Sequence, residues 1–201
     1  MSLEEKISQI LLVRYPEENQ KDIIKKYQFG GYLFFSKDFK DKTKDNVIKM
    51  INDSNEESKI PILTAVDEEG GIVVRVSSNK NLRNEAFSSS SELYKSGGFD
   101  KIREDTKEKS SLLKSLGINL NLAPVVDVST NPSDYMYKRS LQEDAKITSE
   151  FSSLVIETSK NSGVSYTLKH FPGYGDNTDT HSGSSIDTRT KEEIENNDIL
   201  P

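Results

Sequence analysis

Ile62-Leu63-Thr64-Ala65-Val66-Asp67 is a largely apolar run with a polar residue just after it, and the chain repeats that arrangement twice more. Leu122-Ala123-Pro124-Val125-Val126 ends on Asp127, and Ser165-Tyr166-Thr167-Leu168 ends on Lys169-His170. An earlier run, Tyr32-Leu33-Phe34-Phe35, follows Gly30-Gly31 and is too short and too aromatic for a helix. With their flanks, the stretches Tyr32 to Phe35, Ile60 to Val66, Ile118 to Val128 and Val164 to Leu168 predict four buried strands.

Helical patterns separate them. Leu3, Ile7, Ile10 and Leu11 recur at i, i+4, i+7 and i+8, with Ser2 as a cap and Glu5 three residues on. Shorter patterns surround Ile23, Ile24 and Tyr27, and Val47, Ile48 and Ile51. Leu112, Leu113 and Leu116 precede Gly117, and Ile147, Phe151, Leu154 and Val155 precede Gly163. The polar stretch Ser77 to Asp100, with its serine run and Gly97-Gly98, reads as a long loop. Buried strands alternating with helices imply parallel βα units, because the crossover helices cover the sheet.

Two architectures accommodate such units, an open doubly wound sheet and a (β/α)8 barrel. The phosphate-cradling signatures G-x-G-x-x-G and G-x-x-x-x-G-K-[ST] are absent. The polar residues after three strands converge on one mouth only in a barrel, where barrel chemistry sits. The barrel is therefore the expected fold.

Composition narrows the function classes. With 27 basic and 33 acidic residues the net charge is −6, and the two signs interleave without a basic stripe, so no nucleic-acid partner is expected. The absence of cysteine excludes disulfides, thiolate metal sites and cysteine nucleophiles. No apolar run approaches the roughly 18 residues of a membrane span. The opening MSLEEKISQILLV carries acidic residues where a signal peptide carries basic ones. The chain as it stands is expected in the cytoplasm; removal of a leader would make it a secreted or cell-surface protein. The hydrophobic share of 33% is lean, which points to a small core or to apolar surface that needs a further partner.

Both histidines lie in one segment, Lys169-His170-Phe171-Pro172-Gly173-Tyr174-Gly175-Asp176-Asn177-Thr178-Asp179-Thr180-His181. In one reading, His170 is a hydrogen-bonded strand end and His181 a surface residue. In another, Asp179 accepts from His181 Nδ1, which leaves Nε2 to give and take protons, on a loop shaped by Pro172, Gly173, Gly175 and Gly183. A metal site from Asp176, Asp179 and His181 lacks a second neutral ligand. Asp67 with Arg75 offers a hydroxyl-binding carboxylate and a guanidinium, or simply a solvated acidic turn. Arg139 taken alone is a surface arginine.

Taken in order, EEKISQ, FGGYLFF, AVDEEGG, NLAPVVDV, Arg139-Ser140, KHFPGYG and DTH resemble glycoside hydrolase family 3, in its single-domain β-N-acetylglucosaminidase branch. The resemblance runs the full length of the chain and implies a (β/α)8 barrel and a retaining exo-β-N-acetylglucosaminidase that needs no cofactor or metal. Its substrates would be muropeptide or chitin-type saccharides. It casts His181 as acid/base and Asp179 as its orienting partner. Asp67, Arg75, Arg139, Lys169 and His170 would hold the terminal N-acetylglucosamine, with Asp127 in the pocket floor. Four features depart from the family pattern: Ile72 in place of arginine, Tyr174 in place of histidine, Leu141 in place of phenylalanine, and a short loop before the dyad.

The family's nucleophilic aspartate sits on a later strand than any aligned here. A full barrel takes about 250 residues. Residues 1–201 are therefore expected to form its N-terminal part, about four to five βα units, inactive alone and with exposed strand edges and inner face. Two competing expectations are a non-catalytic saccharide-binding or remnant protein, and a metal-dependent barrel enzyme. Oligomeric state is not legible.

Overall fold

The computed structural model describes residues 1–201. Five parallel strands form one sheet in the order β1-β2-β3-β4-β5. The strands are β1 (Leu12–Arg14), β2 (Gly31–Phe34), β3 (Leu63–Val66), β4 (Leu120–Asn121) and β5 (Ser165–Tyr166). The connecting helices are α1 (Leu3–Gln9), α2 (Gln20–Tyr27), α3 (Ser36–Phe39), α4 (Lys44–Glu56), α5 (Ser90–Ser115), α6 (Ala145–Ser159) and α7 (Lys191–Glu193), and a π-helical turn spans Ile194–Asp198. A doubly wound sheet reverses its strand order at a switch point, whereas a barrel adds strands in sequence. The unbroken order is the barrel's. No helix is long and apolar enough to cross a membrane.

Local chemistry sets the helix starts. Ser2 and Glu5 exchange side-chain and backbone hydrogen bonds at α1, as Ser89 and Glu92 do at α5. Asp144 accepts from the Ile147 amide at α6. The main core lies between the helices and one face of the sheet. Tyr32 and Phe34 of β2 are buried there with Ile24, Val47, Ile51, Leu113 and Leu116. A smaller cluster of Ile102, Leu141, Phe151 and Val155 joins α5 to α6. On the other face Leu12, Gly31 and Leu63 stand in register, and Leu63 is 49% exposed, so part of the sheet's apolar surface has no cover in this chain.

The structure departs from the sequence reading at three places. Leu12–Arg14 is a strand, because α1 ends at Gln9 and Tyr15 N donates to Leu33 O at 2.9 Å; a strand of three residues shows no period of its own. Residues 90–100 are helix, since Ser89 caps α5 and only Gly97 and Gly98 leave helical angles. The pair breaks the helical pattern and so mimics a loop. The run Ile118 to Val128 is continuous strand only at Leu120–Asn121; Pro124 has no N–H to donate, and pairing resumes as a single parallel bridge between Val125 and Lys169.

Phe34 is wholly buried and stacks on Tyr15 at 4.4 Å between centroids. Phe34→Ala is expected to destabilise the fold by about 3–5 kcal/mol through lost burial and the cavity left behind. Urea unfolding checks this, and an unchanged midpoint would place the core elsewhere.

Candidate active site

The segment after β3 supplies three consecutive carboxylates with three separate tasks. Glu68, with 0% of its surface exposed, accepts from the amides of Arg75 (2.8 Å), Val76 (2.6 Å) and Ser77 (3.2 Å) and from the Ser77 hydroxyl. Its own amide donates to Asn121 Oδ1 at 2.9 Å, which fixes the turn to β4. Folding residues 75–77 back in this way brings the Arg75 guanidinium within 3.7 Å of Asp67. Glu69 takes Arg139 in a two-pronged pair, Nε to Oε2 at 2.9 Å and Nη2 to Oε1 at 2.7 Å.

Lys169, at the end of β5, bridges the set. Its Nζ lies 2.7 Å from Asp67 Oδ1 and 2.5 Å from Glu69 Oε1. Burial works against the Arg139 charge, but the hydrogen bonds and charge of Glu69 outweigh it and raise the guanidinium's pKa. Behind this layer, Lys109 of α5 pairs with Asp105 at 2.9 Å and donates to the Glu69 carbonyl at 3.1 Å.

The neighbouring residue, His170, shares its Nδ1 hydrogen bond with Asp127 Oδ2 at 2.7 Å. Asp127 is 2% exposed and also accepts from the amides of His170 (3.2 Å) and Tyr174 (2.8 Å). Arg139 Nη2 stands 3.5 Å from His170 Nε2. Three of the roughly four acceptor sites of the Asp127 carboxylate are taken within the chain, and its side chain is 1% exposed. Asp127 therefore orients His170 and the following loop.

Asp179 and His181 form their pair. The Asp179 carboxylate accepts from the His181 amide at 3.0 Å and faces Nδ1 at 2.7 Å. The ring is 78% exposed and its Nε2 makes no hydrogen bond within the chain. Two tyrosines connect this pair to the strand ends. The Tyr174 hydroxyl is 2.7 Å from Thr180 Oγ1, and its ring lies edge-on to His170 at 5.2 Å and 5.5 Å from Tyr135. The Tyr135 hydroxyl faces Asp179, and burial and that carboxylate raise the phenol's pKa.

Of the seven residues singled out from the sequence, Asp67, Arg75, Arg139, Lys169 and His170 gather at the strand ends, and Asp179 and His181 pair on the loop that follows β5. Glu68, Glu69, Tyr135 and Tyr174 were not singled out as site residues; the acidic run in AVDEEGG was the one signal available for the first two. No group of three or more His, Cys, Asp or Glu converges as a metal would require. A groove of about 510 Å³ between α2 and α4 is lined by none of these residues.

Two outcomes follow. Glu68→Ala is expected to cost roughly 3 kcal/mol, because three buried amides lose their acceptor. Urea unfolding measures it, and a loss under about 1 kcal/mol would show that the turn closes without it. Asp179 is held below its ordinary value of 3.8, first by the His181 amide and then by the ring. A depressed carboxylate contributes above its unfolded pKa, and that contribution disappears as pH falls through the lowered folded value. A carbon-13 carboxyl titration should place the Asp179 midpoint below 3.8, and a midpoint at or above it contradicts the dyad.

Comparison with known proteins shows the family. The model of the glycosyl hydrolase family 3 N terminal domain matches residues 2–201. Beta-hexosaminidase A of Pseudoalteromonas piscicida is 30% identical over 192 residues, covering 90% of this chain and 31% of that protein. Beta-hexosaminidase LpqI of Mycobacterium tuberculosis is 28% identical over 209 residues, covering 100% of this chain and 51% of that protein. The solved structure of M. tuberculosis LpqI superimposes with a TM-score of 0.85 at 26% identity, over 100% of this chain and 57% of that one. A glycoside hydrolase family 3 beta-N-acetylglucosaminidase from Paenibacillus sp. str. FPU-7 gives 0.87 at 23% identity over 100% and 39%, a likeness of fold. The chain spans about a third to a half of the length of these two curated relatives. It belongs to the glycosyl hydrolase family 3 N-terminal domain family.

Proposed function

We propose that this chain supplies the sugar-binding and acid/base groups of a retaining exo-β-N-acetylglucosaminidase acting on terminal β-linked N-acetylglucosamine of muropeptide or chitin-type saccharides. The observation that carries the reading is the His181 ring, held through Nδ1 by Asp179 with Nε2 free, on the loop that leaves β5 beside the ionic cluster. The names of the relatives, beta-hexosaminidases, support the substrate class.

In this reading Asp67 accepts hydrogen bonds from hydroxyls of the sugar while Lys169, Arg75 and Arg139 donate to its oxygens, exchanging part of their mutual contacts for substrate. His181 Nε2 gives its proton to the glycosidic oxygen as the bond to the anomeric carbon breaks, and a carboxylate takes that carbon from the opposite face. Nε2 then accepts a proton from water as water displaces the carboxylate, and the sugar leaves with retained configuration. Asp67, Glu68, Glu69 and Asp127 are all engaged by partners within the chain. The nucleophile is accordingly assigned to a later barrel strand, as the family resemblance implies. Residues 1–201 alone are expected to bind the sugar without turning it over.

Two measurements test the proposal. N-acetylglucosamine binding by the chain, followed by NMR, should weaken at least about tenfold in Asp67→Ala, in line with one lost charged hydrogen bond. In the chain extended through the remaining barrel strands, His181→Ala should lower kcat on 4-nitrophenyl N-acetyl-β-D-glucosaminide by about 10²- to 10⁴-fold. An unchanged kcat overturns the dyad's role. Binding without any turnover in the extended protein favours a saccharide-binding protein instead.

A further inference from the structure

We propose that Arg189 is a positioning residue for the Asp179–His181 pair, closing the base of the loop that carries it. The catalytic consequence rests on the reading above. The clamp itself rests on the following contacts.

The tip of the loop is itself neither strand nor helix, and His181 is largely exposed, so its placement depends on how the two stalks are joined. Arg189 on the outgoing stalk joins them. Its Nη2 donates to the carbonyl of Gly173 on the incoming stalk at 2.8 Å. Nε and Nη2 donate to the two oxygens of Asp187 at 3.0 and 2.6 Å, and Nη1 lies 2.7 Å from Asp198 Oδ1 in the π-helical turn, an ion pair without hydrogen-bond geometry. The Asp198 side chain is 3% exposed and that of Arg189 14%. One guanidinium thus ties both stalks to the turn after α7, and it holds the Asp187 carboxyl well below the usual carboxylate range.

The incoming stalk is shaped to fit this clamp. Gly173 has φ +114°, and a Cβ there would stand 2.7 Å from Asp198 Oδ1; Gly175 has φ +57°, and a Cβ there would stand 2.5 Å from Arg189 Cζ. Any side chain at either position meets the ion pair itself. A second rung lies nearer the tip. Asn177 donates through Nδ2 to the Tyr174 carbonyl at 2.8 Å and accepts from the Ser185 hydroxyl at 2.9 Å. Closing the base shortens the free segment, so less conformational entropy is lost when the tip is held against Tyr135 and Tyr174.

Loss of Arg189 strands the buried Asp198 and frees the Gly173 carbonyl. The Asp179–His181 contact, two residues apart, survives, while its placement against the strand ends does not. The test is nitrogen-15 relaxation of amides 176–186 in Arg189→Ala and Arg189→Lys, with kcat and KM measured in the extended protein. In Arg189→Ala the tip amides should lose order while β1 to β4 keep theirs. Catalysis should fall in kcat by about 10- to 100-fold, as expected for a misplaced acid/base group, with KM within about twofold. Lysine keeps the charge without the planar fork and should restore part of both effects.

Unchanged tip order in a folded Arg189→Ala protein overturns the clamp. Tip disorder with unchanged kcat overturns positioning, provided His181→Ala remains impaired. If His181→Ala is also unimpaired, the dyad reading has failed while the clamp stands. Should Arg189→Ala not fold, Asp198→Asn removes a single charged partner and is read by the same criteria.

Discussion

Lys169 reaches Asp67 and Glu69 together, and that shared ammonium holds the strand-end layer in place. It joins the end of β5 to the end of β3 across β4, and Glu69 passes the connection to Arg139 in the segment after β4. Two carboxylates, Asp67 and Glu69, face Arg75, Arg139 and Lys169, and His170 stands between Arg139 and a third carboxylate, Asp127. Groups this enclosed are tolerable only when paired, because a lone charge left behind costs several kcal/mol. Each member therefore fixes the others. The layer is a preorganised set of donors and acceptors.

The dyad is built on the opposite principle. It lies in solvent, and its internal contact is made by residues two apart, so it needs no tertiary support to form. What the fold contributes is position, through the clamp at the loop's base and the tyrosines near its tip. Tyr174, which departs from the family's usual histidine, touches His170 and Thr180 and so occupies the joint between the rigid layer and the loop. In the proposed reading, an exposed acid/base group beside an enclosed sugar site suits a reaction in which one residue protonates a leaving group and then activates water.

Much of the fold was legible because its signals are local. Apolar runs punctuated by glycine marked four of five strands, and the Ser2–Glu5 capping pair was visible directly. β1 was missed because three residues carry no periodicity, and the first part of α5 because Gly97-Gly98 interrupts an otherwise helical segment. At the candidate site, the residues that stand in a distinctive short pattern were named from the sequence: both histidines, Asp179, Lys169, and Asp67 with Arg75. Glu68 and Glu69 were seen as an acidic turn, and nothing local separates a solvated glutamate from one that accepts four hydrogen bonds.

The sequence by itself determined the alternation of helix and strand, the helix starts, the composition of the strand-end motifs and the pairing of Asp179 with His181. All of these depend on neighbours a few positions away. Only the tertiary structure decided which carboxylate serves which cation, since Lys169 meets Asp67 across 102 positions and Arg139 meets Glu69 across 70. It also decided that Asp127 is consumed in holding His170 and that Arg189 closes the loop on Asp198. The reason is physical: periodicity and capping act along the chain, whereas charge pairing and burial act through space once the parallel strands have brought their ends together.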